Sequence, residues 1–381
     1  MAASMRGVKR KLLLSELQDD TDVIAAINCV QQYSKQAFLI AEQLSSKEEC
    51  NPDACVWNFV EEVVPRYTCF QFKGHFRMDP DVFEALCQWL IPHMKPERSM
   101  TSEEKILATL WLLANQEAYR SVGDRFGMNR GTLHRVVKEI YQVLVSLREN
   151  VIRWPQRQEL DRISEEFERT AGLPGVVGAI DGTYIRIKGK ADNTRDSYIC
   201  RKGFPAMHLQ VVSDSNLLLL DVDTGNVGSV HDSRVFRNSA LHQLLESDDG
   251  KLPVQYHLLG DSAYPLKEYL LVPFQDNGHL THTETKFNLA HAKTRSDVER
   301  AIGLLKGKFR RLQDLNMTAT EDIPHLIFAC CVLHNFIILK NGVDEEDIVL
   351  QDEPAGGNDN DNDERARQTA VDKRNEIACS L

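Results

Sequence analysis

The sequence predicts an α/β domain, a mixed sheet flanked by helices, preceded by an all-helical domain of helix-turn-helix character. Two observations carry this expectation. Residues 172–340 alternate β-rich apolar runs with helical periodicity, whereas residues 75–150 show helical periodicity alone. A chain of 381 residues with a 42% apolar share is also long enough to bury a sizeable core.

The elements follow in chain order. Residues 1–74 form an N-terminal helical extension, opening on the basic patch Arg6, Lys9, Arg10 and Lys11 and helical in pattern through Gln43. The patch fits a nuclear address or a solvated helix start. Residues 102–113 read as a capped apolar helix; residues 118–126, a Gly127-Met128 turn and residues 130–147 follow in helix-turn-helix order. Leu133, Val136, Val137, Ile140 and Leu144 make one buried stripe. Arg130, His134, Arg135 and Lys138 lie off it, where a recognition helix meets a groove or where a bundle shows an ordinary charged face.

In the second block, residues 175–188 form a strand that begins apolar and ends alternating. Residues 207–213 and 217–223 form a hairpin around Asp214-Ser215-Asn216. Residues 232–245 read as a helix, 254–259 as a strand and 294–312 as a strong helix. Right-handed crossover places the fourth strand parallel beside the first. The tail, 341–381, is acidic and rich in Asn, Asp and Gly at its start, and is expected to lack structure.

Composition excludes some classes and leaves DNA open. No run of eighteen apolar residues marks a membrane span. Nine cysteines, none in a C-x-x-C pair, argue against a zinc ribbon and for free thiols in a reducing compartment. The net charge of −11 is concentrated, since residues 344–364 hold ten acids and no base. Setting those aside leaves −1, so local basic faces decide the matter.

Three acids stand where a packed α/β domain does not want an unpaired charge. Asp181 follows the apolar run 176–180, Asp261 ends the run 256–260, and Glu299 rides a helix with the stripe Val298, Ile302, Leu305, Phe309 and Leu312. That stripe sets Glu299 beside the seam, in line with Arg295, Gly303, Lys306 and Arg310. Adjacent strands lie about 4.8 Å apart, so the aspartates can face each other across one gap. Gly182 and Gly260 allow close backbone approach there. Like charges that near repel, and Mg²⁺ or Mn²⁺ relieves the repulsion. Singly, each acid is as well read as a turn former or a solvated charge.

The segments Gly178-Ala179-Ile180-Asp181-Gly182-Thr183, residues 228–236 (from Gly228-Ser229-Val230-His231-Asp232) and Gly260-Asp261-Ser262-Ala263-Tyr264-Pro265 resemble the nuclease core of PIF/Harbinger transposases. So do Phe287-Asn288, Arg295 with Val298-Glu299-Arg300-Ala301-Ile302-Gly303, and Leu333-His334-Asn335. The resemblance covers residues 100–340, with the blocks in family order. It implies an RNase H-like fold, a two-metal DDE site and descent from a DNA transposase. Asp181, Asp261 and Glu299 match its catalytic and metal-binding acids. Tyr184 stands where the family often has His, and Ala263 where it usually has Gly. Asp232 belongs to the family blocks and has two readings, a further metal ligand or a helix cap. His231 and His334 read better as hydrogen-bonded structural residues, and Cys330 and Cys331 as core.

The expected activity is metal-dependent hydrolysis of DNA phosphodiester bonds. The competing reading is a domesticated, non-cleaving DNA-binding adaptor that keeps the fold. Contacts to DNA phosphates are expected from Arg130, Arg135, Lys138, Arg201, Lys202, Arg295, Arg300, Lys306 and Arg310. The resemblance further implies a Myb-like DNA-binding partner protein and residence in the nucleus as well as the cytoplasm, and leaves a homo-oligomer open.

Overall fold

The structure, a computed structural model, describes residues 58–97, 99–188, 195–247, 251–317, 319–349 and 364–381. The basic patch and the helical pattern through Gln43 lie outside them. Helices α1 (Cys69–Phe76), α2 (Pro80–Leu90), α3 (Ser102–Ala114), α4 (Tyr119–Arg125) and α5 (Arg130–Ser146) open the described chain. Local chemistry sets their starts. Thr101 accepts from the Glu104 amide at 3.2 Å while Glu104 reaches back to the Thr101 amide, a reciprocal cap. Asn129 caps α5 by accepting from the Thr132 amide at 2.9 Å. Gly127, with φ of 64°, makes the turn between α4 and α5. The stripe Leu133, Val136, Val137, Ile140 and Leu144 is buried, as its periodicity predicts.

After α6 (Leu160–Ala171) come β1 (Val176–Arg186), β2 (Ala206–Ser213), β3 (Leu219–Val227), α7 (Asp232–Asn238), α8 (Ala240–Glu246), β4 (His257–Leu259), β5 (Leu270–Leu271), α9 (His282–Lys308), α10 (Ile323–Asn341) and α11 (Glu364–Ser380). The strands form one mixed sheet in the order β3-β2-β1-β4-β5. The β1–β2 and β2–β3 pairs are antiparallel; β4 is parallel to β1, and β5 to β4. The hairpin turn is held by Asp214, whose Oδ1 accepts from the Asn216 and Leu218 amides at 2.9 Å each.

Each sheet face has its own apolar core. On one, Ala179, Ile185, Met207, Leu209 and Val211 pack with the later part of α9, with α10 and with the helices of residues 69–146. On the other, Ile180 and Val212 pack with Leu160, Phe167, Phe236 and Phe287. Helix α10 is long and apolar enough to cross a bilayer by length and composition, yet it is mostly buried against α5 and β3.

The structure corrects several boundaries. Residues 75–150 and 172–340 share one apolar core, with α10 packed into the helical bundle. The fourth strand is shorter than 254–259, and β5 has no sequence expectation behind it. The helix expected over 232–245 breaks at Ser239, whose hydroxyl caps α8 through the His242 amide at 3.2 Å. Helix α9 starts twelve residues before 294 because Thr281 and Glu284 form a capping box ahead of the stripe. The tail is not structureless throughout. In α11, Ala370 and Ala378 are buried, Arg374 stacks on Phe274 at 4.0 Å, and Lys373 donates to the carbonyls of Tyr256 and Glu268.

Candidate active site

Asp181 is carried into the site by β1. Alternation along the strand turns it to the α9 side with Ala179 and Ile185. Its Oδ1 accepts from the Gly182 amide at 2.9 Å. The parallel register pairs Ala179 with Leu259, and continuing it by two residues sets Asp181 beside Asp261, which follows the end of β4. Asp261 is held by its own turn, with Oδ1 accepting from the Ala263 amide at 2.9 Å. Ala263 lies outside the left-handed region, so the turn does not need the glycine usual there.

Helix α9 brings the third acid. Arg295 donates from Nη1 to Asp181 Oδ2 at 3.1 Å and from Nη2 to Glu299, so one guanidinium spans the two carboxylates. Burial lowers the Arg295 pKa, but Asp181, Glu299 and Asp261 together outweigh it and the net shift is upward. All three acids thus act on one point. Asp181 is largely buried, with 15% of its side chain exposed, against 46% for Glu299, so the cluster opens to solvent on the helix side.

Three carboxylates and one guanidinium leave a formal charge of about −2, which asks for further cations. The donors are hard oxygens of the kind that bind Mg²⁺ or Mn²⁺. Arg295 is the stand-in cation, marking where positive charge is wanted. Among the described residues no three acidic, His or Cys side chains stand close enough together to grip a metal as they lie. The Arg295 guanidinium lies between Asp181 and Glu299, and its withdrawal would free their oxygens. The donor set fits a divalent cation on that condition.

Asp232 has neither expected role in its simple form. Helix α7 begins with it, but His231 is the capping position and no side chain caps. Its Oδ1 instead meets His208 Nε2 at 2.5 Å. A methyl group on Gly182 would meet that same oxygen at 2.5 Å and the His208 ring at 2.7 Å. The pair therefore occupies the space Gly182 vacates, on the sheet face opposite the Asp181 carboxylate. The Asp232 carboxylate is thus engaged by His208 in this structure. Burial raises its pKa, and the His208 hydrogen bond and charge reverse the shift to a net lowering.

The nine cations expected to grip DNA separate. Lys306 is 2% exposed and donates to Thr183 Oγ1 at 2.6 Å and the Tyr184 carbonyl at 3.2 Å, so it does not face solvent. Arg295 is turned to the acids. Arg300 pairs with Asp297 and with Glu345 at 2.8 Å, Arg135 with Glu97 at 2.9 Å, and Lys138 with Asp322 at 2.9 Å. Arg130, Arg201, Lys202 and Arg310 are exposed. The basic stripe of α9 from Arg295 to Lys308 is thus largely engaged, Arg295 and Lys306 by β1 and Arg300 and Lys308 by residues 344–349, which lie along the helix. Lys308 pairs with Asp347 at 2.8 Å, and Gly303 and Gly307 leave room for the Val349 and Asp347 backbone.

Other motif residues act on the fold. His334 donates from Nε2 to the Leu217 carbonyl, 2.9 Å away, and burial holds its pKa down at about 4. Asn335 bonds both the amide and the carbonyl of Leu219, 2.8 and 2.7 Å, tying β3 to α10. Asn288 does the same for Phe274. Cys330 and Cys331 are buried in α10, with both thiols pushed up by burial. His208, Lys306 and Arg295's bridging role are the residues sequence reasoning missed. The glycine at 182 was the available signal for the first.

Comparison with known proteins sets this geometry in a family. Residues 180–335 match the model of a DDE superfamily endonuclease, and residues 58–146 that of a domain of unknown function. The rat protein named Putative nuclease HARBI1 is 34% identical over 254 residues, 65% of this chain and 70% of its own. The human protein of the same name is 32% identical over the same shares. Protein ALP1-like of Arabidopsis thaliana is 29% identical over 74% of this chain and 73% of its own. No solved structure matches the chain significantly.

Proposed function

The chain belongs to the family of Harbinger transposase-derived nucleases with a DDE superfamily endonuclease domain, and from that premise we propose that it is a divalent-metal-dependent DNA endonuclease. The observation that carries the reading is the single guanidinium of Arg295, on which Asp181, Asp261 and Glu299 all act. The sheet order supports an RNase H-like architecture, with one aspartate on β1, the other just past the end of the adjacent strand β4, and the glutamate on helix α9. The α4–turn–α5 pair supports a helix-turn-helix-like part ahead of it.

Asp181, Asp261 and Glu299 would hold the cations. Bound there, the metal supplies an activated water and charge relief at the leaving oxygen of the phosphodiester. The chain's own contribution is positioning. The Gly182 amide fixes one oxygen of Asp181, and the Ala263 amide fixes one of Asp261. Each carboxylate is therefore already held in one rotamer, so little side-chain freedom is left to lose when a cation binds. Arg295 keeps Asp181 and Glu299 together against their repulsion.

Purified protein incubated with supercoiled plasmid and Mg²⁺ or Mn²⁺ tests the reading. Nicking by the parent chain and none by Asp261→Ala or Glu299→Ala is expected. Duplex binding without nicking in any of them, with a Myb-like partner supplied, would replace the nuclease with an adaptor.

A further inference from the structure

A second site lies at the other end of β1. There the start of α4, the start of α5 and the turn after α9 enclose a cleft of about 770 Å³. Its walls carry Tyr119, Arg120, Arg130, Lys188 and Arg311. Arg120, Arg130 and Lys188 are exposed, whereas Arg311 is only 5% exposed. Arg311 donates from Nη1 to the Glu117 carbonyl at 2.8 Å and lies over the Tyr119 ring at 5.4 Å. Its Nε has no hydrogen-bond partner among the described residues, and Asp314 acts on it only through space. A buried cation without a paired anion is costly, and a cleft wall is where an incoming anion relieves it.

The acids nearby do not cancel this charge. Glu117 is engaged by the Trp111 indole at 3.0 Å and by Arg125 at 3.9 Å, which leaves Asp314 facing four cations. Tyr119 adds an aromatic surface, with His134 beside it at 5.9 Å. Of the three α5 cations expected from the sequence to meet DNA, Arg135 and Lys138 are held in ion pairs and Arg130 opens into this cleft.

We propose that this cleft is a second DNA contact, a subsite that takes backbone phosphates away from the cut. The inference rests on the nuclease reading for the identity of the polymer and deepens it by giving the spacing. From Glu299 to Arg311 is twelve residues of mostly helical chain, about 18 Å at 1.5 Å per residue. From Asp181 to Lys188 is seven residues of extended chain, about 23 Å at 3.3 Å per residue. At 3.4 Å per nucleotide step, the two routes put the subsite about five to seven base pairs from the scissile bond.

Binding of a fluorescein-labelled 24-base-pair duplex to the full chain in EDTA, followed by anisotropy across KCl concentrations, tests it. Arg120→Ala/Arg130→Ala/Lys188→Ala is expected to lower the slope of log affinity against log salt by about 2.7, or about 0.9 per lost contact. Affinity at 150 mM KCl is expected to fall about tenfold or more. Arg162→Ala/Arg169→Ala, two exposed cations of α6, is the control and is expected to change neither. Unchanged slope in the triple variant, an equal fall in the control, or no duplex binding by the parent chain would each overturn the subsite. The nuclease reading is scored separately by plasmid nicking, so the two can fail independently.

Discussion

Helix α9 crosses β1 with two kinds of acid–base contact, and their difference separates chemistry from architecture. Toward its middle, Arg295 meets Asp181 and Glu299 with acid in excess and Glu299 half exposed. About three turns on from Arg295, Lys306 and Lys308 are buried, the first satisfied by Thr183 and Tyr184 and the second by Asp347. The same helix against the same strand makes an open, under-neutralised cluster at one place and a sealed, satisfied one at the other. Surplus charge of one sign that water can reach is what a metal site requires. A matched buried pair only holds elements together.

The largest expected effect breaks the open cluster. Glu299→Ala should lower plasmid nicking by about 10²-fold or more, with little change in melting temperature, because the side chain is 46% exposed. A nicking rate within a few-fold of the parent would put Glu299 outside the chemistry. The sealed cluster should behave in reverse. Lys306→Ala loses two hydrogen bonds and a buried stem and is expected to cost about 2–4 kcal/mol of stability, read by urea denaturation. If Lys306→Ala were as stable as the parent, the contrast between the two clusters would fail.

The sequence shows part of this contrast and hides the rest. The apolar run into Asp181, the flanking glycines and the α9 stripe can all be seen in order, and the crossover rule gives the correct parallel pairing of β1 with β4. The stripe also puts Glu299 and Lys306 in one line along the helix. What it cannot give is depth. Lys306 lies where β1 covers the helix and Glu299 where the cover ends, and that depends on how two distant segments cross. Asp232 shows the same limit, since its partner His208 comes from β2 and only Gly182 hints at the crowding. The acidic segment near residue 345 reads as solvated by composition. Its docking was signalled by Gly303 and Gly307, one helical turn apart on the face it covers.

Smaller effects sharpen the comparison. His334 is another sealed group, with its pKa held by burial at about 4 against an ordinary 6.5. The unfolded chain therefore binds a proton near pH 6.5 that the folded chain refuses until about pH 4. Its contribution is complete above pH 6.5 and is lost as the pH falls toward 4, by up to about 3 kcal/mol. Asp214 and Asp221 act oppositely, because burial raises each to about 6 and the folded state takes up their protons first. The clean readout is the stability gap between the parent and His334→Gln, which should narrow on acidification from pH 7 to 4.5. A constant gap would contradict the burial account. The smallest effect is at the open cluster. Arg295→Gln should lower metal-free stability by about 1 kcal/mol, and added Mn²⁺ should raise its melting temperature more than it raises the parent's. Equal Mn²⁺ shifts would mean that Arg295 does not compete for the carboxylates.

The most direct test of shared cation binding is a Mn²⁺ titration followed by electron paramagnetic resonance, on the parent chain and on Asp181→Asn, Asp261→Asn and Glu299→Gln. The parent is expected to bind Mn²⁺ with saturation, and each substitution should weaken the same binding event at least about tenfold. Mn²⁺ binding unchanged in Glu299→Gln would contradict the account, because the acid on the helix would then not belong with the two on the strands.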